Sequence, residues 1–302
     1  MKDKARAAVL ASFAGDSLAL GAHWIYSTDR IAREFGRIET FLDPGKDSYH
    51  PTKKKGEFTH YGDQALVLLE SLAATGGFDP GDFSRRWRQL FSGYTGYYDQ
   101  ATKGTLASIS QGKPFLEAGS PSNDIAGASR IAPLVAMLHH DEEGLAAAAR
   151  MQTAMTHTDS LTVDASGFFA RVCAVVLEGS SPGEAVRDVA LRHFKGTPLH
   201  RWVEMGTESR GKESAEVIKA FGQSCHTPEA FPGVIHLIAR YENDLKEALV
   251  QSVMAGGDSA ARGMLAGMVL GAYHGMKALP EDWLKGLVRR QEIETLLDRI
   301  SS

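Results

Sequence analysis

Apolar residues recur at helical spacing along almost the whole chain. Ala7–Leu20 is a run of Ala, Val, Leu and Phe interrupted by Ser12, Gly15, Asp16 and Ser17, the pattern of a helix buried on most of its surface. Gln64–Thr75 sets Leu66, Leu69, Leu72 and Ala73 on one face and stops at Gly76-Gly77. Asp82–Tyr94 carries Phe83, Trp87 and Phe91 at the same spacing, and Ile31–Glu39 is a short amphipathic piece. Glu142–Thr156, Val163–Leu177, Glu184–Phe194, Ser214–Gln223 and Phe231–Val253 read as helices of ordinary length. Phe41–Thr59 has no period and is rich in Asp, Lys, Gly and Pro, which predicts an exposed loop. Alternating strand patterns bounded by hairpin dipeptides do not occur, and no repeat or low-complexity linker marks a boundary. The expectation is one all-α domain over residues 1–302.

Composition narrows the class. Of 302 residues, 43% are hydrophobic and 23% charged, which excludes a disordered chain, a fibre and a small disulfide scaffold. A net charge of −4 leaves no electrostatic footprint for nucleic acid. Cys173 lies in the apolar run Val172–Leu177 and Cys225 in a polar stretch expected to be a loop, so two separated thiols point to a reducing compartment. The N-terminus faintly resembles a secretory signal, but Asp16 interrupts it, and no stretch of eighteen apolar residues exists. No membrane partner and a cytoplasmic location are therefore expected. Gly179-Ser180-Ser181-Pro182-Gly183 fits the text of a nucleophile elbow but lacks the strand that the elbow needs. Ser181, with Pro182 next and Glu184 three on, is instead a capping box. No phosphate-binding GxxxxGK[ST] loop and no CxxC or HExxH spacing is present.

Four segments put polar residues where a plain core would not. In Ala14–Tyr26, Asp16 and His23 are seven apart and share a helix face, with Tyr26 just beyond. A carboxylate in so apolar a run needs a partner, either a neighbouring helix end or a ligand. Thr59-His60-Tyr61-Gly62-Asp63-Gln64 precedes a helix, with Asp63 placed as its N-cap. Together His60, Tyr61, Asp63 and Gln64 bring acid/base, stacking and hydrogen-bonding groups to a helix end that favours anions. Ser122–Leu134 combines Ser122, Asp124 and small residues with Arg130, and Thr156-His157 closes a nearby helix. Gly256-Gly257-Asp258-Ser259-Ala260-Ala261-Arg262 opens a helix on which Gly263, Gly267, Gly271 and Gly275 recur every four residues. Those glycines cost about 1 kcal/mol each against Ala, which close packing by another helix would offset. Gly257 could expose backbone N–H groups to a ligand, and Asp258 with Arg262 forms an i,i+4 pair.

These segments, in this order, resemble the ADP-ribosylglycohydrolase family, which includes the J1-type crystallins. The resemblance runs from about Ala7 to Gly275 and rests on Gly15-Asp16, Glu70-Ser71-Leu72, Ala128-Ser129-Arg130-Ile131-Ala132-Pro133-Leu134, Thr156-His157 and Gly256-Gly257-Asp258. It implies a compact all-α fold whose cleft uses two magnesium ions to hold ADP-ribose and activate water. The departures fall on the ligands that the family uses. Its Thr-Asp-Asp-Thr step is Thr59-His60-Tyr61-Gly62 here, its Gly-Gly-Asp-Thr-Asp-Thr step is Gly256-Gly257-Asp258-Ser259-Ala260-Ala261, and the acid after Gly15-Asp16 is replaced near His23-Trp24. Asp258, Ser259, Thr59 and Asp63 remain as a partial oxygen set, poor for two ions that each want an oxygen octahedron.

Two function classes follow. One is a divergent hydrolase that cleaves an N- or O-glycosidic bond of an ADP-ribose-like or nucleoside-like substrate. In it Asp63, Asp16, Asp258 and His60 supply acid/base chemistry, and His23, Tyr26, Tyr61, Gln64, Ser122, Asp124, His157, Gly257 and Arg262 hold a small nucleotide-sugar or an ADP-ribosylated substrate. The other is a non-catalytic, crystallin-like member that binds such a ligand or has a structural role. An ordinary two-magnesium hydrolase needs further oxygens, for which Asp124 and Asp159 are the candidates.

Overall fold

The computed structural model describes residues 2–300, and its first helix has hardly a polar face: α1 (Lys2–Ala19) buries every residue from Ala7 to Ala19. It is followed by α2 (Thr28–Phe35), α3 (His60–Thr75), α4 (Pro80–Phe91), α5 (Gln100–Ser110), α6 (Ala126–Ser129) and α7 (Ala132–Leu138). Then come α8 (Glu142–Ala154), α9 (Ser160–Leu177), α10 (Pro182–His193), α11 (Pro198–Glu208), α12 (Ser214–Phe221) and α13 (Thr227–Arg240). The chain ends through α14 (Leu245–Met254), α15 (Ser259–His274), α16 (Glu281–Gly286) and α17 (Arg290–Ile300). Among the described residues there is no β-strand, only two isolated bridges, Ser120 with His157 and Asp124 with His226. The all-α expectation holds.

The expected seam of small residues joins α1 to α15. A Cβ on Gly15 would lie 2.5 Å from the Gly263 carbonyl oxygen, and Cβ atoms on Gly267 and Gly271 would lie 2.5 Å from the carbonyls of Ala11 and Ala7. The two backbones therefore touch along three turns, which places the C-terminal end of α1 beside the N-terminal end of α15. Around this pair one hydrophobic core runs from Ala5 to Leu297. It includes α9, whose 18 residues average a hydropathy of 1.5 and pack mostly inside the protein.

The structure corrects three boundaries. The run Phe231–Val253 is two helices, α13 and α14, because Asp244 caps a new start by accepting from the Glu247 N–H at 2.9 Å. α3 begins four residues before the expected Gln64, with Thr59 and not Asp63 as its N-cap. α5 was not expected, since Gln100–Ser110 lacks an apolar stripe; Asp99 caps it at the Thr102 N–H, 2.6 Å away. Ser181 does form the capping box with Glu184 at the start of α10.

Candidate active site

Helix termini and loops, not helix middles, bring the polar groups together. Gly256 and Gly257 both have left-handed backbones, with φ of +71° and +67°, so the chain turns sharply into α15. This turn is clipped to the segment after α1: Trp24 N–H donates to the Gly257 carbonyl and Gly257 N–H to the Ile25 carbonyl, both at 2.9 Å. Asp258 N–H donates to the Gln223 carbonyl at 2.8 Å, and Ile125 N–H to the Cys225 carbonyl at 2.8 Å. The backbones carrying Trp24, Asp124, Cys225 and Asp258 are thus fixed to one another. Trp24, with φ of +65°, is the one non-glycine among the described residues in the left-handed region. Strain of this kind is retained where the surroundings fix it, often at functional sites.

Asp258 lies at the floor. One carboxylate oxygen accepts from Ala261 N–H at 3.2 Å, and the other from the Tyr61 hydroxyl at 3.3 Å. His23 Nδ1 is 3.7 Å from Asp258, too far for a hydrogen bond, and both its ring nitrogens are buried without one. The Asp124 and Asp258 carboxylates and the Cys225 sulfur each offer an atom within 4.8 Å of the other two. Burial and the charges of Asp258 and Asp99 push the Asp124 carboxyl well above its usual range. Burial also raises Asp258, opposed by the Arg262 charge, and burial with the two carboxylates raises the Cys225 thiol. Both carboxyls are thus held above the usual range.

Above this floor lies an aromatic cluster. The His23 ring stacks on Trp24 at 4.3 Å, and Trp24 meets Tyr49 at 4.8 Å, Tyr97 at 5.0 Å and His60 at 5.6 Å. The segment 41–59, expected to be an exposed loop, supplies Tyr49 and buries His50 against His60 and Trp24. His50 Nε2 is 3.2 Å from His60 Nδ1, and His60 Nε2 is 3.3 Å from the Asp99 carboxylate. Burial alone would raise Asp99, but the close approach of His60 and the other neighbouring charges outweigh that and hold it below the usual carboxylate range. Burial, with the neighbouring His60 and Lys53, lowers His50 to about 2.

Of the site residues expected from sequence, the structure brings Asp258, His23, Tyr61, His60 and Asp124 together, with Tyr26 at the rim, 51% exposed. Others serve the scaffold. Asp16 is buried under α3, where it accepts from Thr59 N–H at 2.8 Å and the Thr59 hydroxyl at 2.5 Å. Thr59 is thereby spent as the α3 cap and not as a metal ligand. Asp63 pairs with Lys53 and the Tyr94 hydroxyl, both at 2.5 Å, and lines a different groove with Glu70, Arg86 and Arg289. It is held away from Asp258 as acid/base group and as ligand. Gln64 accepts from Trp87 Nε1 at 2.8 Å and from Arg130, and donates to the His60 carbonyl. Arg262 turns to the carbonyls of Ser252 and Gly256, closing the glycine turn rather than facing a ligand. The Gly257 N–H is used by Ile25, and the Ser122 hydroxyl by Asp124 N–H at 3.2 Å. His157 bonds Thr156 at 2.8 Å, and burial and Arg130 lower it to about 3. The Ser259 hydroxyl is buried without a partner. Asp159 caps α9 at the Thr162 N–H and adds no oxygen to the cluster.

Asp16 carries a stability prediction. Burial, partly offset by the Thr59 bonds, raises its carboxyl to about 7. Between pH 4 and 7 the folded chain then holds a proton that the unfolded chain has lost, so this group's contribution to stability falls as pH rises through that window. Replacing Asp16 by Asn removes the effect. Urea unfolding at pH 5, 6 and 7 should give the variant a stability slope more positive than the parent's by about 1.4 kcal/mol per pH unit. Parallel slopes would contradict it.

Comparison with known proteins agrees with this architecture. The family model described as ADP-ribosylglycohydrolase matches residues 1–302. The chain belongs to the ADP-ribosylglycohydrolase family. Among its relatives, crystallin J1A of Tripedalia cystophora is 24% identical over 99% of this chain and 97% of its own. The ADP-ribosyl-[dinitrogen reductase] glycohydrolase of Rhodospirillum rubrum is 26% identical over 97% of this chain and 92% of its own. A solved structure titled ADP-ribosylglycohydrolase-related protein complex superposes with a TM-score of 0.78 at 26% identity, covering 99% of this chain and 97% of that one.

The donor set does not suit the two magnesium ions that the resemblance implied. Magnesium demands oxygen ligands in an octahedron. Here His60, Tyr61, Ala260 and Ala261 stand at four of the expected ligand positions, and one of the three converging donors is sulfur. Sequence reasoning missed Cys225, His50, Tyr97 and Asp99. A polar-loop Cys beside His226, and an Asp following Tyr97-Tyr98, were the only signals available.

Proposed function

We propose that the chain hydrolyses a glycosidic bond of an ADP-ribose-like or nucleoside-like substrate in the cleft beneath Tyr49 and His50. The observation that carries this reading is the pairing of an oriented imidazole with a carboxylate. His60 is held between Asp99 and His50, and the next residue, Tyr61, holds Asp258. Glycoside cleavage passes through an oxocarbenium-like state that needs a proton carrier and a nearby negative charge. Water bonds to the anomeric carbon as the bond to the leaving atom breaks. The water's proton enters at His50 Nδ1, which has no partner, and the His50–His60–Asp99 chain holds it and returns one to the leaving atom, so the proton count balances. Asp258 faces the positive charge on the sugar, and Trp24, Tyr49 and Tyr97 offer ring faces for a base. Tyr49, 52% exposed, marks the way in.

The test is turnover of ADP-ribosyl and nucleoside substrates by the purified chain, with and without EDTA. His60→Gln and Asp99→Asn should each lower kcat by about a hundredfold with KM little changed. Full kcat in both variants would overturn the assignment. The likeness to crystallin J1A favours a second reading, ligand binding without cleavage. Calorimetric binding of ADP-ribose with no product from any substrate would select it.

A further inference from the structure

We propose that Asp124, Cys225 and Asp258 form a site for a single thiophilic divalent cation of the zinc class, with His23 Nδ1, beside Asp258 but outside their 4.8 Å cluster, drawn in as fourth donor. The proposal needs the cleft but not the hydrolysis. Its first support is convergence: three donor atoms from three separate segments of the chain lie within 4.8 Å of one another. Tetrahedral zinc, with bonds of about 2.3 Å to sulfur and 2.0 Å to oxygen, sets its donors roughly 3.3–3.7 Å apart. The site then requires side-chain rotation alone, since the backbones are already clipped by the Ile125–Cys225 and Gln223–Asp258 hydrogen bonds at 2.8 Å.

The second support is independent of the acids. His23 is fully buried as a side chain, stands 3.7 Å from Asp258, and has no hydrogen-bond partner on either ring nitrogen. Burying two unpaired ring nitrogens is costly, and a cation at Nδ1 would satisfy one of them. The supporting contacts that a metal site needs are present as well. Tyr61 and Ala261 N–H hold Asp258, and Ala126 N–H holds Asp124 at 2.8 Å. Sulfur and imidazole among the donors select against magnesium and calcium and for zinc and its neighbours. Two carboxylates and a thiolate around one dication leave the floor with a net negative charge, the sign that an oxocarbenium-facing site requires.

The experiment titrates the metal-stripped full-length chain with Co2+ and then Zn2+. Uptake of one equivalent of cobalt with a thiolate-to-cobalt charge-transfer band is expected, displaced by zinc and unmoved by excess magnesium. Cys225→Ser should abolish the band and weaken zinc binding by about a hundredfold or more, while Cys173→Ala keeps it. Asp124→Asn is the second variant, since its amide oxygen can still accept from Ala126 N–H; it too should lose zinc affinity by at least about tenfold. Circular dichroism of each variant checks that the fold is intact. A parent with no cobalt band, or a band that survives in Cys225→Ser, overturns the site. Zinc uptake without turnover of any substrate would overturn the hydrolase reading and leave the site standing. Turnover in EDTA with no cobalt band would do the reverse.

Discussion

Replacing Asp258 by Asn is expected to lower turnover by about a thousandfold while leaving the melting temperature of the metal-free chain little changed. The two effects separate because Asp258 does two jobs with different requirements. As N-cap of α15 it needs only an acceptor for the Ala261 N–H, 3.2 Å away, and Asn caps about as well as Asp. As the anion of the cleft it needs its charge, which Asn lacks. Removing that charge relieves the groups it pushes upward: Asp124, Tyr61 and Cys225 each have the Asp258 charge among the causes of their raised pKa. That relief offsets the loss of the charge opposite the buried Arg262, so the fold is left about as stable. Assay of kcat/KM beside a thermal melt reads both. Turnover within tenfold of the parent would remove Asp258 from the chemistry, and a large drop in melting temperature would make it a structural residue first.

The fold was more legible than the site, for a physical reason. Helices of this protein bury one face or nearly all of their surface, and that periodicity is local. Ala7–Leu20, Gln64–Thr75 and Val163–Leu177 therefore lie within α1, α3 and α9 or one residue beyond. Where the local signal is weak, reading fails. Gln100–Ser110 is helical because Asp99 caps it and the fold packs it, while the break at Tyr241–Asp244 contains neither Gly nor Pro. The choice between Thr59 and Asp63 as cap is not local at all. Asp16, 43 residues away, takes the Thr59 hydroxyl and N–H and thereby fixes where α3 begins. Likewise Cys225 joins Asp124 and Asp258 only because the loops after α12 and before α6 pair backbone to backbone. A polar residue shows in a sequence that it needs a partner, but the partner is assigned by the fold.

Replacing Gly15 by Val, or Gly267 by Leu, is expected to prevent folding or to destabilise the chain by well over about 3 kcal/mol. At both positions the first added carbon would lie 2.5 Å from a main-chain carbonyl oxygen, of Gly263 and of Ala11 respectively. Flexible side chains can yield to such a clash, but a carbonyl inside a helix cannot move without breaking its own hydrogen bonds, so the two helices must separate. Separation would open voids along a seam buried on both sides, since α1 from Ala7 to Ala19 and α15 from Ser259 to Ala272 are buried throughout. It would also shift the start of α15 against the end of α1, and with it Asp258 against His23 and Trp24. Gly15→Ala, the smallest change, therefore offers the finer measurement. A folded but weakened variant should lose cleft binding along with stability, because the contact that it strains sets the distance between the two ends that build the cleft. Soluble expression, a thermal melt and ADP-ribose calorimetry on the three variants test this in sequence. Parent-like stability in Gly15→Val would show that the helices can part at little cost, and that backbone contact does not hold the cleft in register.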